Sequence, residues 1–302
     1  MSYTEAHPLA QRIKAALPPH LGAQFRVCAA EEITSTNTVL KACAAQAIAE
    51  NVPITPTVLL ARTQSSGRGR MGRSFHSPSG TGLYMSILLV PSVAPAEALL
   101  LTTAMAAAAA EAADAIRRQY TTSTETIGIK WVNDLYLEDK KICGILAEAA
   151  LTPDASSMSW AVIGIGINIL PPKDGFPAEL SHSAGALFPY GCPIDADDVL
   201  ASLAADIVRR LQCYLDPAQV PTVLDCYRKR SVLDGRAVLV RPAGSLGGAE
   251  IPAAVLGIDD SFGLRVRYAD GQETVLSSGE VVLCDDCGIP SAQTARASVH
   301  LQ

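Results

Sequence analysis

The stretch that most constrains the fold is residues 67–73, which read Gly-Arg-Gly-Arg-Met-Gly-Arg. Glycine weakens helix and strand interiors, and the three arginines have no apolar face to bury. The segment is therefore a loop, and apolar runs at residues 57–63 and 82–90 predict the strands that present it. Backbone N–H and guanidinium groups in such a loop suit an anion. From these residues alone, a solvated basic loop and a weak nucleic-acid patch remain alternatives.

The charge of the whole chain narrows the choice of anion. The 302 residues carry a formal net charge of −6, with a pI of about 5.4. Broad binding to nucleic acid needs a positive field, so we expect no nucleic-acid partner. The arginine loop is a local positive spot on an acidic body, which suits a small phosphorylated ligand. The length allows two domains, and a hydrophobic content of 49% is ordinary for a soluble globular protein.

Targeting and redox signals favour a cytoplasmic protein. Residues 1–25 have no apolar signal core, and the longest uncharged apolar run, 98–110, is too short for a membrane span. We therefore expect no membrane partner. Eight scattered cysteines fit a reducing compartment. Cys284 and Cys287 are the one pair of cysteines close in sequence. Two interpretations stay open: a metal or redox role, or two ordinary thiols at the start of a loose tail.

The hydrophobic patterns predict an α+β fold with a mixed or antiparallel sheet and flanking helices. A strand at 25–33 leads into a helix that Ser35 or Thr36 is placed to cap. Pro95 opens an alanine-rich helix that runs to about residue 120. The remaining strands of this part are predicted at 127–132, 135–137, 142–149 and 160–169, with a hairpin turn at 138–141.

The pattern of predicted elements changes in the second half of the chain. Residues 170–193 are rich in proline and glycine and predict a long loop, which is uncommon unless functional. Helices are predicted at 195–214 and 217–230. Short β runs then alternate with glycine and aspartate turns, as in a small all-β barrel or sandwich. We divide the chain into an N-terminal extension (1–25), a large domain (26–232), a small β domain (233–284) and a disordered tail (285–302).

Four motifs together carry a family resemblance: Ser35-Thr-Asn37, the segment 64–73, Lys130-Trp-Val-Asn-Asp134 with Lys141-Ile-Cys-Gly144, and Gly164-Ile-Gly-Ile-Asn168. In this order and spacing, the chain closely resembles the monofunctional biotin–protein ligases over residues 26–284. The resemblance implies a catalytic biotin- and ATP-binding domain like that of class II aminoacyl-tRNA synthetases and biotin synthetase, followed by an SH3-like C-terminal β barrel. It also implies ATP-dependent formation of biotinyl-5′-AMP, with Mg²⁺, and transfer of biotin to a lysine of a biotin carboxyl carrier domain of acetyl-CoA carboxylase or a similar carboxylase.

By this resemblance, Arg70 and Lys141 are the catalytic residues. Adenylation joins a carboxylate to a phosphate, so the site must offset negative charge. Arg68, Gly69 and Arg70 match the biotin-contacting loop, and Lys141 matches the lysine that reaches the biotin carboxylate and the α-phosphate. Taken alone, without the neighbouring motifs, Lys141 is better explained as an exposed turn lysine. We expect the loop to be mobile until the intermediate orders it, because the charges of its arginines are unpaired.

The neutral polar residues match positions that bind the ureido head of biotin. A neutral urea needs neutral donors and acceptors, and the family positions correspond here to Ser35, Thr36, Asn37 and Gln64. Gly144 and the glycines of 164–168 would let the strands approach the flat ligand.

The nucleotide positions implied by the family are Arg73, Phe75, Asn133, Asp134 and Asn168. Asp134 is also the candidate Mg²⁺ ligand, although it could equally hold an arginine of the loop. Phe75 stands where many members have tryptophan, and stacking is expected to be weaker.

Some features depart from the family or leave alternatives. Cys284 stands where many members have arginine, and residues 176–187 match the adenylate-covering loop only loosely. The roughly 25 residues before the first strand leave no room for the DNA-binding domain of bifunctional members, so we expect no repressor role. The sequence leaves undecided whether the chain forms a weak homodimer. The competing functions are a lipoate–protein ligase and a biotin-binding protein that has lost its chemistry.

Overall fold

The computed structural model describes residues 3–241 and 250–284. Six α-helices occur in this part of the chain: α1 (Pro8–Ala16), α2 (Pro19–Gln24), α3 (Thr36–Ala49), α4 (Leu99–Tyr120), α5 (Ala196–Tyr214) and α6 (Val220–Lys229). Seven strands form a large sheet: β1 (Arg26–Ile33), β2 (Thr57–Gln64), β3 (Gly82–Leu89), β4 (Gly128–Lys130), β5 (Asp134–Leu137), β6 (Lys140–Leu151) and β7 (Met158–Asn168). Five form a smaller one: β8 (Ala237–Arg241), β9 (Ile251–Ile258), β10 (Leu264–Tyr268), β11 (Glu273–Leu276) and β12 (Glu280–Leu283).

The large sheet is mixed, as the sequence predicted. Its strand order is β1-β2-β3-β7-β6-β5-β4, in which β1 and β2 are parallel and all other neighbours antiparallel. The predicted turn between β5 and β6 is a two-residue hairpin in which Glu138 and Asp139 have φ values of 49° and 59°. Such values are typical of the tight turns that match the twist of paired strands.

Alternating side chains give this sheet two buried faces. Val27 and Ala29 of β1 belong to the larger apolar core with helices α1, α4 and α5, whereas Cys28 and Ala30 pack with α3 on the other face. Helix α4, preceded by a 3₁₀ turn that Pro95 begins, is long and apolar enough to cross a membrane by length and composition. However, 78% of that segment is buried inside the protein.

Residues 8–24 are more structured than the sequence analysis anticipated. They form α1 and α2, whose residues Leu9, Ile13 and Leu21 are buried in the larger core. Pro8 and Pro19 stand at the first helical positions. A proline there loses no hydrogen bond and has a φ suited to the helix.

The small sheet is antiparallel throughout, in the order β11-β10-β9-β8-β12. It contacts the large domain at several points. Trp131 Nε1 donates to the carbonyl oxygen of Phe262 at 2.9 Å, and Arg228 donates to that of Ile258 at 2.8 and 3.0 Å. Trp131 is therefore a buried core residue. The predicted tail at 285–302, with Cys287, lies outside the described residues.

Candidate active site

The floor of the site is a flat area of the large sheet, on the face that carries α3. Gly144 of β6 pairs with Gly166 of β7, and Gly164 lies two residues before Gly166 in β7. Because these residues have no side chains, other groups can lie directly against the backbone. A cavity of about 360 Å³ opens over them, which is within the usual range of small-ligand sites.

The structure brings together every residue that the sequence assigned to a ligand. They come from five separate segments of the chain, and all of them line this one cavity: Ser35, Thr36, Asn37, Gln64, Arg68, Gly69, Arg70, Arg73, Phe75, Asn133, Asp134, Lys141, Gly144 and Asn168. Their roles toward a ligand remain predictions, which the geometry below refines.

One end of the cavity is neutral and polar. Gln64 Oε1 accepts from the backbone N–H of Thr36 at 2.9 Å and lies 3.2 Å from its hydroxyl. Gln64 therefore satisfies a donor at the start of α3 that a capping side chain would otherwise satisfy. Ser35 occupies the N-cap position, but its buried side chain makes no capping hydrogen bond. The alternative assignment of Ser35 as a side-chain cap is therefore wrong, and its hydroxyl stays available at the cavity.

Asn37 is committed to the protein at both ends of its amide. Its Nδ2 donates to the carbonyl oxygen of Leu146 at 3.2 Å and to Glu148 at 3.0 Å, while Ser86 Oγ lies 2.6 Å from its Oδ1. A Cβ on Gly164 would lie 2.0 Å from that Oδ1. Both amide hydrogens are in use, so the geometry favours a positioning role over direct contact with a urea.

Phe75 lies against the sheet rather than at the edge of the site. A Cβ on Gly166 would be 2.5 Å from its ring, and a Cβ on Gly144 would be 3.4 Å away. The ring also meets Tyr84 edge-on, at 6.3 Å between centroids. The glycines were expected to admit a ligand, but in this structure they admit the Phe75 ring and the Asn37 amide.

The arginine loop has a defined backbone. Gly69 N donates to the carbonyl oxygen of Arg73 at 2.8 Å, and Phe75 N donates to that of Gly67 at 2.9 Å. A Cβ on Gly67 would lie 2.4 Å from the carbonyl oxygen of Phe75, so only glycine fits there. Met71 at the tip has a φ of 54°, which is unusual for a residue with a side chain.

Arg68 is attached to β6 through Glu148. Its Nη1 donates to Glu148 at 3.1 Å, and Lys41 of α3 donates to the same carboxylate at 2.7 Å. Burial by itself would raise the pKa of Glu148. The hydrogen bonds from Lys41 and Asn37, with the charge of Arg68, outweigh burial and hold that pKa below its usual value.

Arg70 and Arg73 attach the loop to both sheets. Arg70 donates to Asn133 Oδ1 at 2.9 Å and to the carbonyl oxygen of Gly279 at 3.1 Å. Arg73 makes a bidentate pair with Glu280, at 2.5 and 2.8 Å. The expectation that the loop arginines are unpaired is therefore wrong, because side chains distant in sequence supply partners for all three.

Lys141 is a strand residue and not a turn residue. It is the second residue of β6, its side chain is 36% exposed, and its Nζ lies 2.7 Å from Asp134 Oδ1. Asn133 Nδ2 donates to the same oxygen at 3.0 Å. The alternative in which Asp134 holds an arginine of the loop is not observed: the loop arginine Arg70 is held by Asn133, and Asp134 holds Lys141.

Asn168 organises the long loop at 170–193. Its Nδ2 donates to the carbonyl oxygen of Gly185 at 2.8 Å, while the backbone N–H groups of Lys141 and Gly185 bond to Ser183 and Lys141, respectively. This pairing places Phe176 and Leu180 of the loop on the wall of the cavity. The proline- and glycine-rich segment is therefore part of the site.

Within residues 3–241 and 250–284, no group of three or more His, Cys, Asp or Glu side chains is placed to hold a metal ion. Asp134 is the candidate Mg²⁺ ligand. Its Oδ1 is taken by Lys141 and Asn133, whereas its Oδ2 forms no hydrogen bond or ion pair with the described residues. This arrangement fits an ion that takes one carboxylate oxygen from the protein and its other ligands from phosphate and water, as Mg²⁺ usually does.

Sequence reasoning missed five residues around the cavity: Ser86, Lys130, Glu148, Gly279 and Glu280. Ser86 and Glu148 are polar residues within apolar strands, which is a weak signal that a buried partner exists. Gly279 and Glu280 gave no such signal, because they meet the arginine loop across more than 200 positions of sequence.

Comparison with known proteins agrees with this fold. A family model described as the biotin/lipoate A/B protein ligase family matches residues 29–168. The bifunctional ligase/repressor BirA of Bacillus spizizenii is 31% identical over 235 residues, which are 78% of this chain and 68% of that protein. The biotin–[acetyl-CoA-carboxylase] ligase of Mycobacterium tuberculosis is 27% identical over 252 residues, 82% of this chain and 85% of that protein.

A solved structure extends the likeness to most of the chain. The biotin protein ligase from Aquifex aeolicus, in complex with biotin and ATP, superposes with a TM-score of 0.63 and 26% identity. The match covers 86% of this chain and 98% of that one. The fold and site thus define a ligase that attaches a small carboxylic acid to protein. The chain belongs to the biotin/lipoate A/B protein ligase family, and the relatives named above are ligases of biotin.

Proposed function

We propose that this protein activates biotin with ATP to give biotinyl-5′-AMP, and then transfers biotin to a lysine of a biotin carboxyl carrier domain. The observation that carries the proposal is the division of one cavity into a neutral polar end and a cationic end. Biotin has a neutral urea at one end and a carboxylate at the other, so it fits this division in one orientation.

The neutral end offers groups suited to a urea. The buried Ser35 hydroxyl has no capping bond, and Gln64 Nε2 uses one hydrogen for Ser77 Oγ at 3.1 Å, which leaves its second hydrogen available. A ligand that lacks polar atoms at this end would leave these groups unsatisfied, at a cost of roughly 1–3 kcal/mol each. We infer that Ser35, Thr36 and Gln64 bind the ureido head, with Asn37 holding the helix terminus in place.

The other end is strongly cationic. Arg70, Arg73, Lys130 and Lys141 lie there, against the two carboxylates of Asp134 and Glu280, whereas Arg68 pairs with Glu148 beside Asn37. Among the three loop arginines, Arg70 alone bonds to neutral acceptors, the Asn133 amide oxygen and a backbone carbonyl. A phosphate is a stronger acceptor than either. Arg70 is therefore the loop arginine best placed to contact the reacting anions.

The reaction follows from this arrangement. The biotin carboxylate attacks the α-phosphorus of ATP, the bond to the β-phosphate breaks, and pyrophosphate leaves with the electron pair. Arg70 and Lys141 offset the charge of the two anions as they approach. Asp134, at 2.7 Å from Lys141 Nζ, keeps that ammonium directed to the reaction centre. In the second step, the carrier lysine attacks the biotinyl carbonyl and AMP leaves.

We propose Mg²⁺ as the accompanying ion, which the Asp134 carboxylate would hold. When bound, the ion supplies charge neutralisation on the phosphates. Asn133 and Asn168 would shape the nucleotide end, since the first holds Arg70 and the second holds the 170–193 loop. Phe75 and Arg73 would contact the nucleotide from the loop.

The two parts of the chain are proposed to have separate roles. We propose that residues 26–232 form the catalytic domain and that 233–284 form an SH3-like domain, whose antiparallel strands β8–β12 present Gly279 and Glu280 to the loop. We also propose a cytoplasmic location, which the thiol state of Cys28, Cys43, Cys143, Cys192, Cys213 and Cys226 supports.

Exchange of labelled pyrophosphate into ATP tests the proposal against its two alternatives. Biotin-dependent exchange is the expected result. Exchange that depends on lipoate would identify a lipoate–protein ligase, and binding of biotin without exchange would identify a protein that has lost its chemistry. A biotin carboxyl carrier domain added to the same reaction should then become labelled with biotin.

A further inference from the structure

Lys130 is the one cation of the cavity to which no role has been assigned. It ends β4, is half-buried, and lines the cavity beside Tyr136 and Glu280. The other four cations each bond to a carboxylate, an amide or a carbonyl oxygen. Lys130 Nζ donates no hydrogen bond and forms no ion pair with any residue that the structure describes. Its contact is a cation–π contact with the Tyr136 ring, whose centroid lies 5.8 Å away.

A partly buried ammonium without an oxygen partner lowers the stability of the folded protein. Lysine is among the residues least often buried, and a charge removed from water without a partner lowers stability. Burial depresses the pKa of Lys130, and the like charges of Lys141 and Arg73 add to this effect, against the opposing charges of Asp134 and Glu280. A lysine whose pKa is perturbed in this way within a cleft is a candidate for a ligand contact.

The sheet register places Lys130 relative to the reaction. Lys130 pairs with Asp134, Asp134 with Gly144, and Gly144 with Gly166, so that the four residues form one row across β4, β5, β6 and β7. Adjacent strands are about 4.8 Å apart, so the Cα of Lys130 lies roughly 10 Å from that of Gly144, on the side away from α3.

This row follows the order of groups along the two substrates. The neutral end beside α3 receives the ureido head, and Lys141 and Asp134 on β6 and β5 receive the carboxylate and the α-phosphate. The next strand, β4, carries Lys130. Beyond the α-phosphate, ATP continues either into adenosine, which is neutral, or into the β- and γ-phosphates, which are anionic.

We propose that Lys130 binds the β- and γ-phosphates of ATP and stabilises pyrophosphate as it leaves, and is thus a further catalytic residue of this site. The inference rests on the proposed function, because it takes ATP as the substrate. The electron pair of the breaking Pα–O bond goes to pyrophosphate, and the added negative charge arises where the Lys130 ammonium has no hydrogen-bond or ion-pair partner among the described residues.

Calorimetric binding of tripolyphosphate and of AMP to the whole protein tests this without relying on activity. In Lys130→Met, tripolyphosphate should bind at least 10-fold more weakly, equivalent to about 1.4 kcal/mol, while AMP binds as to the wild type. Lys130→Arg keeps the charge and should recover most of the affinity. Lys229→Met, which removes an exposed lysine on α6, is the matched control and should change the affinity for neither tripolyphosphate nor AMP.

Kinetics and stability give two further outcomes. If biotin-dependent exchange exists, Lys130→Met should raise the KM for ATP at least 10-fold and leave the KM for biotin within twofold. Its thermal midpoint should equal or exceed that of the wild type, because an unpaired charge is removed. Unchanged tripolyphosphate binding in a folded Lys130→Met protein would overturn the assignment. Absent exchange in the wild type would instead overturn the proposed function, and the tripolyphosphate result would still stand.

Discussion

Replacing Gly164 by alanine is the most direct test of how the neutral end of the site is built. A Cβ at this position would lie 2.0 Å from Asn37 Oδ1 and 2.8 Å from its Cγ. The amide cannot turn away cheaply, because Ser86 holds it on one side and Glu148 and the carbonyl oxygen of Leu146 hold it on the other. Asn37 is also only 4% exposed, so the alternative position is not in water.

The magnitude follows from the bonds that must break. Displacing Asn37 loses two neutral hydrogen bonds worth about 1 kcal/mol each and one bond to a carboxylate worth about 1.5–3 kcal/mol. Partial relaxation keeps some of them, so we expect a loss of about 3 kcal/mol in the free energy of unfolding. This is a large fraction of the roughly 5–15 kcal/mol of an ordinary domain. The KM for biotin should also rise, because Thr36 and Asn37 share the Ser86 hydroxyl.

Urea unfolding followed by tryptophan fluorescence measures this change, since Trp160 lies on β7 with Gly164. Gly22→Ala is the matched control: it lies in α2, and the nearest atoms to its Cβ would be 3.7 Å away. This change should leave stability equal or raise it by up to about 1 kcal/mol. If Gly164→Ala unfolds at the wild-type urea concentration and binds biotin normally, Asn37 is not held as described and the reasoning fails.

Three further substitutions test charged residues in and beside the cavity. Lys141→Ala should abolish most biotinyl-AMP formation, because it removes a charge from the reaction centre, while Lys140→Ala retains activity; equal adenylation rates in pyrophosphate exchange would refute the role of Lys141. Arg70→Ala should release biotinyl-AMP roughly 10- to 100-fold faster, from a lost bond of about 1.5–3 kcal/mol, and blotting should then detect biotin on a bystander protein; a clean bystander with normal carrier labelling contradicts this. Glu148→Gln should flatten the acid side of the stability profile: since the folded pKa of Glu148 is lowered, its stabilisation is present above the ordinary glutamate range and is lost as pH falls through the folded value. Thermal unfolding between pH 3 and 7 measures it, and an unaltered profile would show that the pairs with Lys41 and Arg68 contribute nothing.

Local patterns predicted most of the elements. The strands β5 to β7 and the helices α3 to α6 follow the expected positions within a few residues, because hydrophobic periodicity and turn residues act over short distances. The hairpin at Glu138 and Asp139 is an example, since the two residues adopt the positive φ values that such a turn requires. The N-terminal helices were not predicted, although Pro8 and Pro19 stand at first helical positions, where proline is favoured.

The motifs located the site, but not the way in which its residues are held. Each predicted ligand residue lines the cavity, yet the partners that fix them come from elsewhere in the chain. Glu148 holds Arg68 from 80 positions away, and Gly279 holds Arg70 from 209. Contacts of this separation depend on the packing of the two sheets, which no local pattern encodes. For the same reason, Asn37 was taken for a ligand contact, although Glu148 and Ser86 occupy its amide.

The partners of the loop arginines also determine how the site can open and close. Arg68 and Arg73 have side chains that are 42% and 60% exposed, whereas their partners Glu148 and Glu280 are only 20% and 22% exposed. Giving up either pair would leave a largely buried carboxylate without that partner, so both pairs favour the arginine positions of this structure. Arg70 differs, because it gives up two neutral acceptors and gains a charged one. The three attachments thus hold the loop near the cavity without a ligand, while Arg70 favours the closed state once a phosphate is present. Closure of this kind excludes water from an activated anhydride without first ordering a free loop, whose entropy would otherwise be lost on binding.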